Sequence, residues 1–410
     1  MVRDMVFLQI HNRYLMRGGE DECAELEARL LAEQRHKVVG YCEDNRRIES
    51  MGKVRAALRA VWSAETARRV SAIALRSRPD IALVHNFFPL ISPSLHRTCR
   101  RLGIPVVQYV HNYRLFCPSS TLWRNGRPCR QCLGWPLAVP GVVHGCYRGS
   151  VPGSVAVAGV VGIHRMIRTW TTCVDMYVAV SEFAADICRK GGLPPERVCV
   201  MPNAVHPDPG VGAGNGGYLV FVGRLTAEKG VGTLLKAWSG LEKRAALKIV
   251  GDGPERRRLQ AEAAGMPGVE WLGARPLPET LDIIGGATAL VFPSEWPEPF
   301  GRVVIEAYAK GTPVVASRVG ATGELVDDGE TGFLCQAGDP AALGARLAEV
   351  LRMPEDARLA MRARARKRYE ERYTGLRNHE RRMQIVDRVL RHGTTDVSAR
   401  DRKPSGGRSG

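Results

Sequence analysis

The chain has 410 residues, 44% apolar and 25% charged, the balance of a folded soluble protein and too long for one ordinary core, so two domains of about 200 residues are expected. No apolar run approaches the roughly 18 residues of a membrane span; the longest, 151–163, is thirteen residues broken by Pro152 and three glycines. The net charge of +17 points to anionic partners, and with no apolar leader before the first strand-like run the chain reads as cytoplasmic.

A buried first strand is expected over 5–10, followed by Arg17-Gly-Gly-Glu20 and an amphipathic helix with Leu26, Leu30 and Leu31 on one face. Gly18 and Gly19 would let backbone approach a phosphate, although a strand-to-helix turn uses glycine for conformational reasons as well. A second strand over 38–41 precedes a basic helical stretch over 48–77. The third strand, 79–85, ends in His85-Asn86, and the fourth, 104–111, in His111-Asn112. Ligands of open parallel sheets bind beyond the carboxyl ends of strands, so both histidines point at one crevice; the competing reading is that strand-end histidines are structural.

Residues 117–146 depart from this alternation. Cys117, Cys129, Cys132 and Cys146 are separated by eleven, two and thirteen residues, among Gly, Pro, Arg and Trp. Cys129-Arg-Gln-Cys132 has the spacing of a metal knuckle, and so long a loop needs a staple: a structural zinc on four thiolates, or disulfides, which a reducing cytosol disfavours. The other seven cysteines are expected to be buried small hydrophobes. A helix over 154–170 and strands over 176–180 and 198–201 complete a doubly wound α/β domain over 1–205, with a Gly- and Pro-rich linker at 206–217.

The pattern then restarts, with strands over 218–222, 246–250, 269–272, 289–292 and 313–316. Arg224 and Lys229 lie on a Gly-flanked loop entering a helix, where two phosphates would be neutralised. Pro293, Pro297 and Pro299 hold a loop that carries Glu298, and Gly301 opens a helix that carries Glu306. Eight steps of about 1.5 Å set these two backbones roughly 12 Å apart, beyond the ~5–9.5 Å of a glycosidase carboxyl pair. A phosphate at the helix start fits between them, with sugar hydroxyls on Glu298 and ribose hydroxyls on Glu306; the plain alternative is two surface carboxylates. Helices finish a domain over 218–375, the helix 376–393 is expected to pack back toward the first domain, and 394–410 reads as a disordered tail. Residues 362–410 hold fifteen Lys or Arg against six Asp or Glu, and Arg362, Arg364, Arg366 and Arg368 alternate as on a solvated helix. That surface suits an anionic membrane face or anionic substrate, the plain alternative being an Arg-rich composition, and the lack of aromatic interleaving argues against nucleic acid.

Phe221-Val-Gly-Arg-Leu-Thr-Ala-Glu-Lys-Gly230, Leu247-Lys-Ile-Val-Gly-Asp-Gly-Pro-Glu255, the Glu298 to Glu306 stretch, Gly311-Thr-Pro-Val-Val-Ala-Ser317 and Asp328-Gly-Glu-Thr-Gly-Phe333 together resemble the family-4 retaining glycosyltransferases. The first half agrees more loosely, through Gly18-Gly19, His85, His111, Ser181-Glu182 and Pro202-Asn203-Ala-Val. The resemblance implies an α/β GT-B fold, two Rossmann-like doubly wound domains facing a central cleft, with the donor bound mainly by the second. It also implies roles: Arg224 and Lys229 as the diphosphate clamp, Gly18-Gly19 as the loop over the phosphates, and Gly251, Gly253, Pro299, Phe300 and Gly301 around the donor. Glu298 would meet the donor sugar, Glu306 the ribose and His111 the transferred sugar, with His85 on the acceptor side. Here His111 is followed by Asn112 where many relatives have Asp. The Cys-rich insert is similar to that of a subset acting on polysaccharide or natural-product acceptors, and no Asp-x-Asp triplet is present, so no catalytic metal is expected. The implied activity is transfer, with retention, of a hexose-type sugar from a UDP-sugar in preference to a GDP-sugar. The hydroxyl acceptor would belong to polysaccharide, glycolipid or natural-product synthesis; the basic C-terminal surface, and not the resemblance, points to a lipid-linked or otherwise anionic one and to a peripheral place on the inner membrane face. Rival readings are an epimerase or phosphorylase on the same fold, and a non-catalytic sugar-nucleotide sensor.

Overall fold

A computed structural model describes residues 4–241 and 245–400. The first half contributes β1 (Val6–Arg13), β2 (Lys37–Asp44), β3 (Ile81–Asn86), β4 (Val106–Val110), β5 (Trp123–Arg124), β6 (Arg127–Pro128), β7 (Met176–Ala179) and β8 (Val198–Val200). Six of these form a parallel sheet in the order β2-β1-β3-β4-β7-β8, while β5 and β6 pair antiparallel as a hairpin inside the Cys-rich insert. The central strands are apolar on both faces, as a sheet covered by helices on two sides requires, and Ile81, Ala82, Leu83 and Val84 are all fully buried.

The second half contributes β9 (Tyr218–Val222), β10 (Ala246–Val250), β11 (Val269–Gly273), β12 (Ala289–Phe292), β13 (Val314–Ser317) and β14 (Gly332–Cys335), parallel in the order β11-β10-β9-β12-β13-β14. β14 forms at the end of the turn-rich motif 320–332 and pairs with β13. It is four residues long and begins at Gly332, where an added Cβ would stand 1.9 Å from the Val314 carbonyl oxygen. In each sheet the order reverses beside the first strand, between β1 and β3 and between β9 and β12, which opens a crevice at the strands' carboxyl ends.

The chain then returns to the first domain. In the helix Gly375–Arg400, Val386 and Val389 join a buried cluster with Met5, Phe7, Ile81 and Leu83, and Asn378 donates to the Pro202 carbonyl at 2.7 Å. Of the tail expected at 394–410, residues 401–410 lie outside the described residues. The arginines expected on a solvated face instead tie the helix Glu355–Arg372 to its surroundings. Arg362 is buried and donates to the carbonyls of Gly212 and Lys310, Arg366 pairs with Asp208 in the linker, and Arg368 pairs with Asp327. The linker's bare carbonyls require donors, and long guanidinium side chains supply them. Of the seven cysteines expected to be buried, Cys99, Cys173, Cys188 and Cys335 are, whereas Cys42 is exposed on β2. Among the described residues no helix is long and apolar enough to cross a membrane.

Candidate active site between the two domains

Close backbone contacts build the loop that carries Glu298. Gly230 has φ of +71°, and a Cβ there would lie 1.9 Å from the Pro293 carbonyl oxygen; Gly320, at φ +61°, would clash with the Glu298 backbone nitrogen at 2.4 Å. Only glycine combines that conformation with that approach. So held, Glu298 is buried, and its Oε1 accepts from Lys229 Nζ at 2.5 Å, from Ser294 Oγ at 2.8 Å and from Trp296 Nε1 at 2.8 Å. Lys229 Nζ also stands 5.4 Å from the centroid of the Trp296 ring, a second attraction that fixes the ammonium. Arg224 does not join this cluster. It is exposed and extends to Met16 Sδ, at 3.5 Å, on the opposite domain.

Gly251 and Gly253 shape the floor of the site. A Cβ on Gly251 would meet the Gly223 carbonyl oxygen at 1.8 Å, and one on Gly253 the Leu225 carbonyl oxygen at 2.3 Å, so the loops after β9 and β10 lie backbone to backbone. Gly301, at φ +102°, caps the helix Arg302–Ala309. Glu306 on that helix is buried, and burial pushes its carboxyl above the usual range. Its Oε1 lies 3.2 Å from Arg302 Nε, and Arg302 Nη1 lies 2.6 Å from Glu22 Oε2 in the first domain. Gly19 completes the contact, since a Cβ there would lie 4.0 Å from Arg302 Cδ. The Glu298 loop is thus clamped from both sides: Tyr113 Oη donates to the Pro297 carbonyl at 2.9 Å, Ser181 Oγ to the Pro299 carbonyl at 2.7 Å, and Phe300 packs edge-on against Tyr373.

His85 and His111 do meet, with Nδ1 of the first 3.0 Å from Nε2 of the second. Behind them His85 Nε2 lies 2.8 Å from Glu27 Oε1, and Glu27 Oε2 takes Arg382 Nε from the C-terminal helix at 3.1 Å. Burial alone would raise the Glu27 carboxyl; the charges of His85 and Arg382 reverse this and hold it well below the usual carboxylate range. An anionic Glu27 requires a proton on His85 Nε2. The ring contact then passes one proton between the pair: a doubly protonated His85 donates Nδ1–H to His111 Nε2, and a singly protonated one accepts from it. Burial, followed by the neighbouring His85 and His11, keeps His111 neutral by lowering its pKa well below the ordinary value. Asn112 does not partner His111. Its amide donates at 3.2 Å to Glu20, which also accepts from Tyr14 Oη at 2.6 Å, so an Asp at 112 would set its carboxylate against that of Glu20. His85, His111, Asn112 and Glu20 line a small cavity of about 30 Å³ with Arg114 and Phe88.

Glu20, Glu27, Arg302 and Arg382 join the site without a motif that marks them. Glu20 stood next to the paired glycines, a position that could have flagged it. Glu27 and Arg382 are separated by 355 residues and carried no local signal.

Cys117, Cys129, Cys132 and Cys146 line one cavity of about 10 Å³ below the β5–β6 hairpin, all as free thiols, and burial raises Cys132 to about 11. Among the described residues no group of three or more His, Cys, Asp or Glu side chains is placed so as to hold a metal ion.

Two family descriptions cover most of the chain: Glycosyltransferase Family 4 over residues 18–209, and Glycosyl transferases group 1 over 211–368. The chain belongs to the family-4 glycosyltransferases. Its similarity to glycogen synthase of Mycobacterium tuberculosis is 38% identity over 151 residues, 35% of this chain and 36% of that protein. To alpha-maltose-1-phosphate synthase of Mycolicibacterium smegmatis it is 34% over 212 residues, 45% of this chain and 54% of that protein. The chain therefore spans about half or less of the length of these curated relatives. Among solved structures, Anabaena HepE in complex with UDP and glucose superposes with a TM-score of 0.67 at 17% identity, covering 93% of this chain and 99% of that one. Sucrose-phosphate synthase from Thermosynechococcus elongatus superposes with a TM-score of 0.69 at 15% identity, covering 95% and 100%. These superpositions make the fold of this family-4 glycosyltransferase GT-B, two parallel-sheet α/β domains facing a cleft.

Proposed function

We propose that the protein transfers a hexose-type sugar, with retention, from a nucleoside diphosphate sugar to a hydroxyl acceptor, and that the donor is UDP-linked in preference to GDP-linked. The observation that carries this reading is the Lys229–Glu298 pair beside the helix that Gly301 opens, with Glu306 buried on that same helix. The three donors to Glu298 converge on Oε1, so Oε2 is assigned to a hydroxyl of the donor sugar, and Glu306 to the ribose. Breaking the sugar to phosphate bond places negative charge on the diphosphate. Lys229, Arg224 and the free N–H groups of the helix start would bind that charge more strongly as it develops, which lowers the barrier. Gly18-Gly19 would cover the phosphates, and a neutral His111 would contact the transferred sugar. Attack from the front face, with the leaving phosphate taking the acceptor proton, requires no protein nucleophile. The UDP and UDP-glucose seen in the HepE structures support the choice of base.

For the insert we propose a structural zinc on Cys117, Cys129, Cys132 and Cys146. That all four line one cavity supports it, and zinc would hold them as thiolates.

The donor assignment is tested by heat-denaturation shift with UDP, GDP and ADP, using Arg224→Ala as the control, followed by product analysis with a retained-anomer assay. Stabilisation by UDP that is lost in the control is expected. No shift with any nucleotide, or donor binding with neither hydrolysis nor transfer across an acceptor panel, would remove the reading.

A further inference from the structure

Between Asp80 and Asp175 the chain has ten Arg and neither Asp nor Glu across 94 residues. The same stretch contains an unusual amount of exposed apolar surface. The helix Val151–Met166 presents Val151, Val155, Gly159 and Ile163 at four-residue spacing, one stripe of the helix, with Met166 at its end 69% exposed. Against it pack the short helix Val139–Val143, whose Val143 is 68% exposed, and the helix Lys53–Val61. That last helix is inverted: it buries Ala56 and Ala60, while Val54 and Leu58 are 76% and 69% exposed, with Trp62 continuing the stripe. Burying alanines and exposing Val, Leu and Trp is the reverse of what folding alone selects, and a contiguous patch of this kind marks an interaction surface.

We propose that this face of the first domain docks on an anionic lipid bilayer. Lys53, Arg55, Arg148 and Arg168 are exposed around the apolar stripes, so aliphatic and aromatic side chains would enter the acyl boundary while cations meet the headgroups. A second copy of the chain would set one segment 81–174, with ten Arg and no acid, against another, which opposes self-association. A nucleic acid would leave the aliphatic side chains in water. Within the basic stretch 362–410, Arg362, Arg366 and Arg368 are engaged within the fold and add nothing to this face. The face also reaches the histidine cavity. Tyr147, four residues before Val151, stands edge-on to Phe88 at 6.2 Å, and the Arg114 guanidinium lies over both rings. A bilayer held here would bring a lipid-borne hydroxyl to that cavity's mouth, although docking itself does not depend on the transfer reading.

The test is co-sedimentation of the full chain with vesicles of phosphatidylcholine alone and with about one third phosphatidylglycerol. Binding to the anionic vesicles is expected to be about tenfold stronger and to weaken with salt. The triple variant Val54→Glu, Leu58→Glu, Val155→Glu, all at exposed positions, should lose about tenfold in affinity while keeping the wild-type melting temperature. Lys53→Ala with Arg55→Ala should weaken binding to anionic vesicles only. Three results would overturn the proposal: no binding to anionic vesicles, binding undiminished in the folded triple variant, or a wild-type dimer by light scattering that the triple variant dissolves. Capture of an oligonucleotide as tight as that of the vesicles would reassign the face to a polyanion.

Discussion

The Glu27–Arg382 pair offers the sharpest energetic test, because it joins the first helix to the last and supports His85 and His111. Both side chains are nearly dry, with relative exposures of 2% and 4%. Glu27→Gln removes the anion while Arg382 remains buried, and the new amide must turn its NH₂ toward either Arg382 or His85 Nε2, both donors. Breaking a buried pair on one side costs about 3–5 kcal/mol, out of a total stability of about 5–15 kcal/mol. Glu27→Gln combined with Arg382→Met should recover at least about 2 kcal/mol of that loss, since no charge remains uncompensated and the Gln carbonyl can still accept from His85. Urea unfolding at constant m-value measures both. pH supplies a second signature. The folded pKa of Glu27 lies well below its ordinary 4.5, so its contribution is present above that value and is lost as pH falls below it; Glu27→Gln should flatten the wild-type decline there. A single-variant cost below about 1 kcal/mol, or strict additivity in the double variant, would refute the reasoning.

Burial holds His96 and His379 at about 4 in the folded state against 6.5 when free. Their neutral forms therefore stabilise the fold fully above pH 6.5, and each should cost about 2 kcal/mol at pH 5; urea midpoints that do not move between pH 7.5 and 5 would contradict this. Gly230→Ala forces a Cβ to within 1.9 Å of the Pro293 carbonyl oxygen and should lower the melting point by several degrees, about 1–3 kcal/mol, and weaken UDP binding, both read by the heat-denaturation assay. Lys229→Ala and Glu298→Ala should each reduce turnover about a hundredfold or more in folded protein; unchanged turnover in both would cancel their assigned roles. Metal analysis should find one zinc per chain, and Cys129→Ser should lose it together with several degrees of thermal stability; metal-free wild type with an equally stable variant would end the zinc proposal.

Sequence patterns alone determined the alternation of strands and helices, the break near the linker, and the stretch carrying Lys229, Glu298, Gly301 and Glu306. Those features are local: period-two and period-3.6 apolar patterns, glycines at turns and short motifs reflect interactions within some ten residues. Only the tertiary structure decided which polar groups meet. Glu27, His85, His111 and Arg382 come from four distant segments, and nothing near Glu27 distinguishes it from Glu22 or Glu25 until the C-terminal helix covers it. The arginines at 362, 366 and 368 had the spacing of a solvated helix, yet the linker captured the first two, through Gly212 and Asp208, and Asp327 the third. The inverted helix Lys53–Val61 shows the same limit, because periodicity locates an apolar stripe without saying which side faces the core. Burial and partnership depend on what packs across the chain, and that is settled only when distant elements come together.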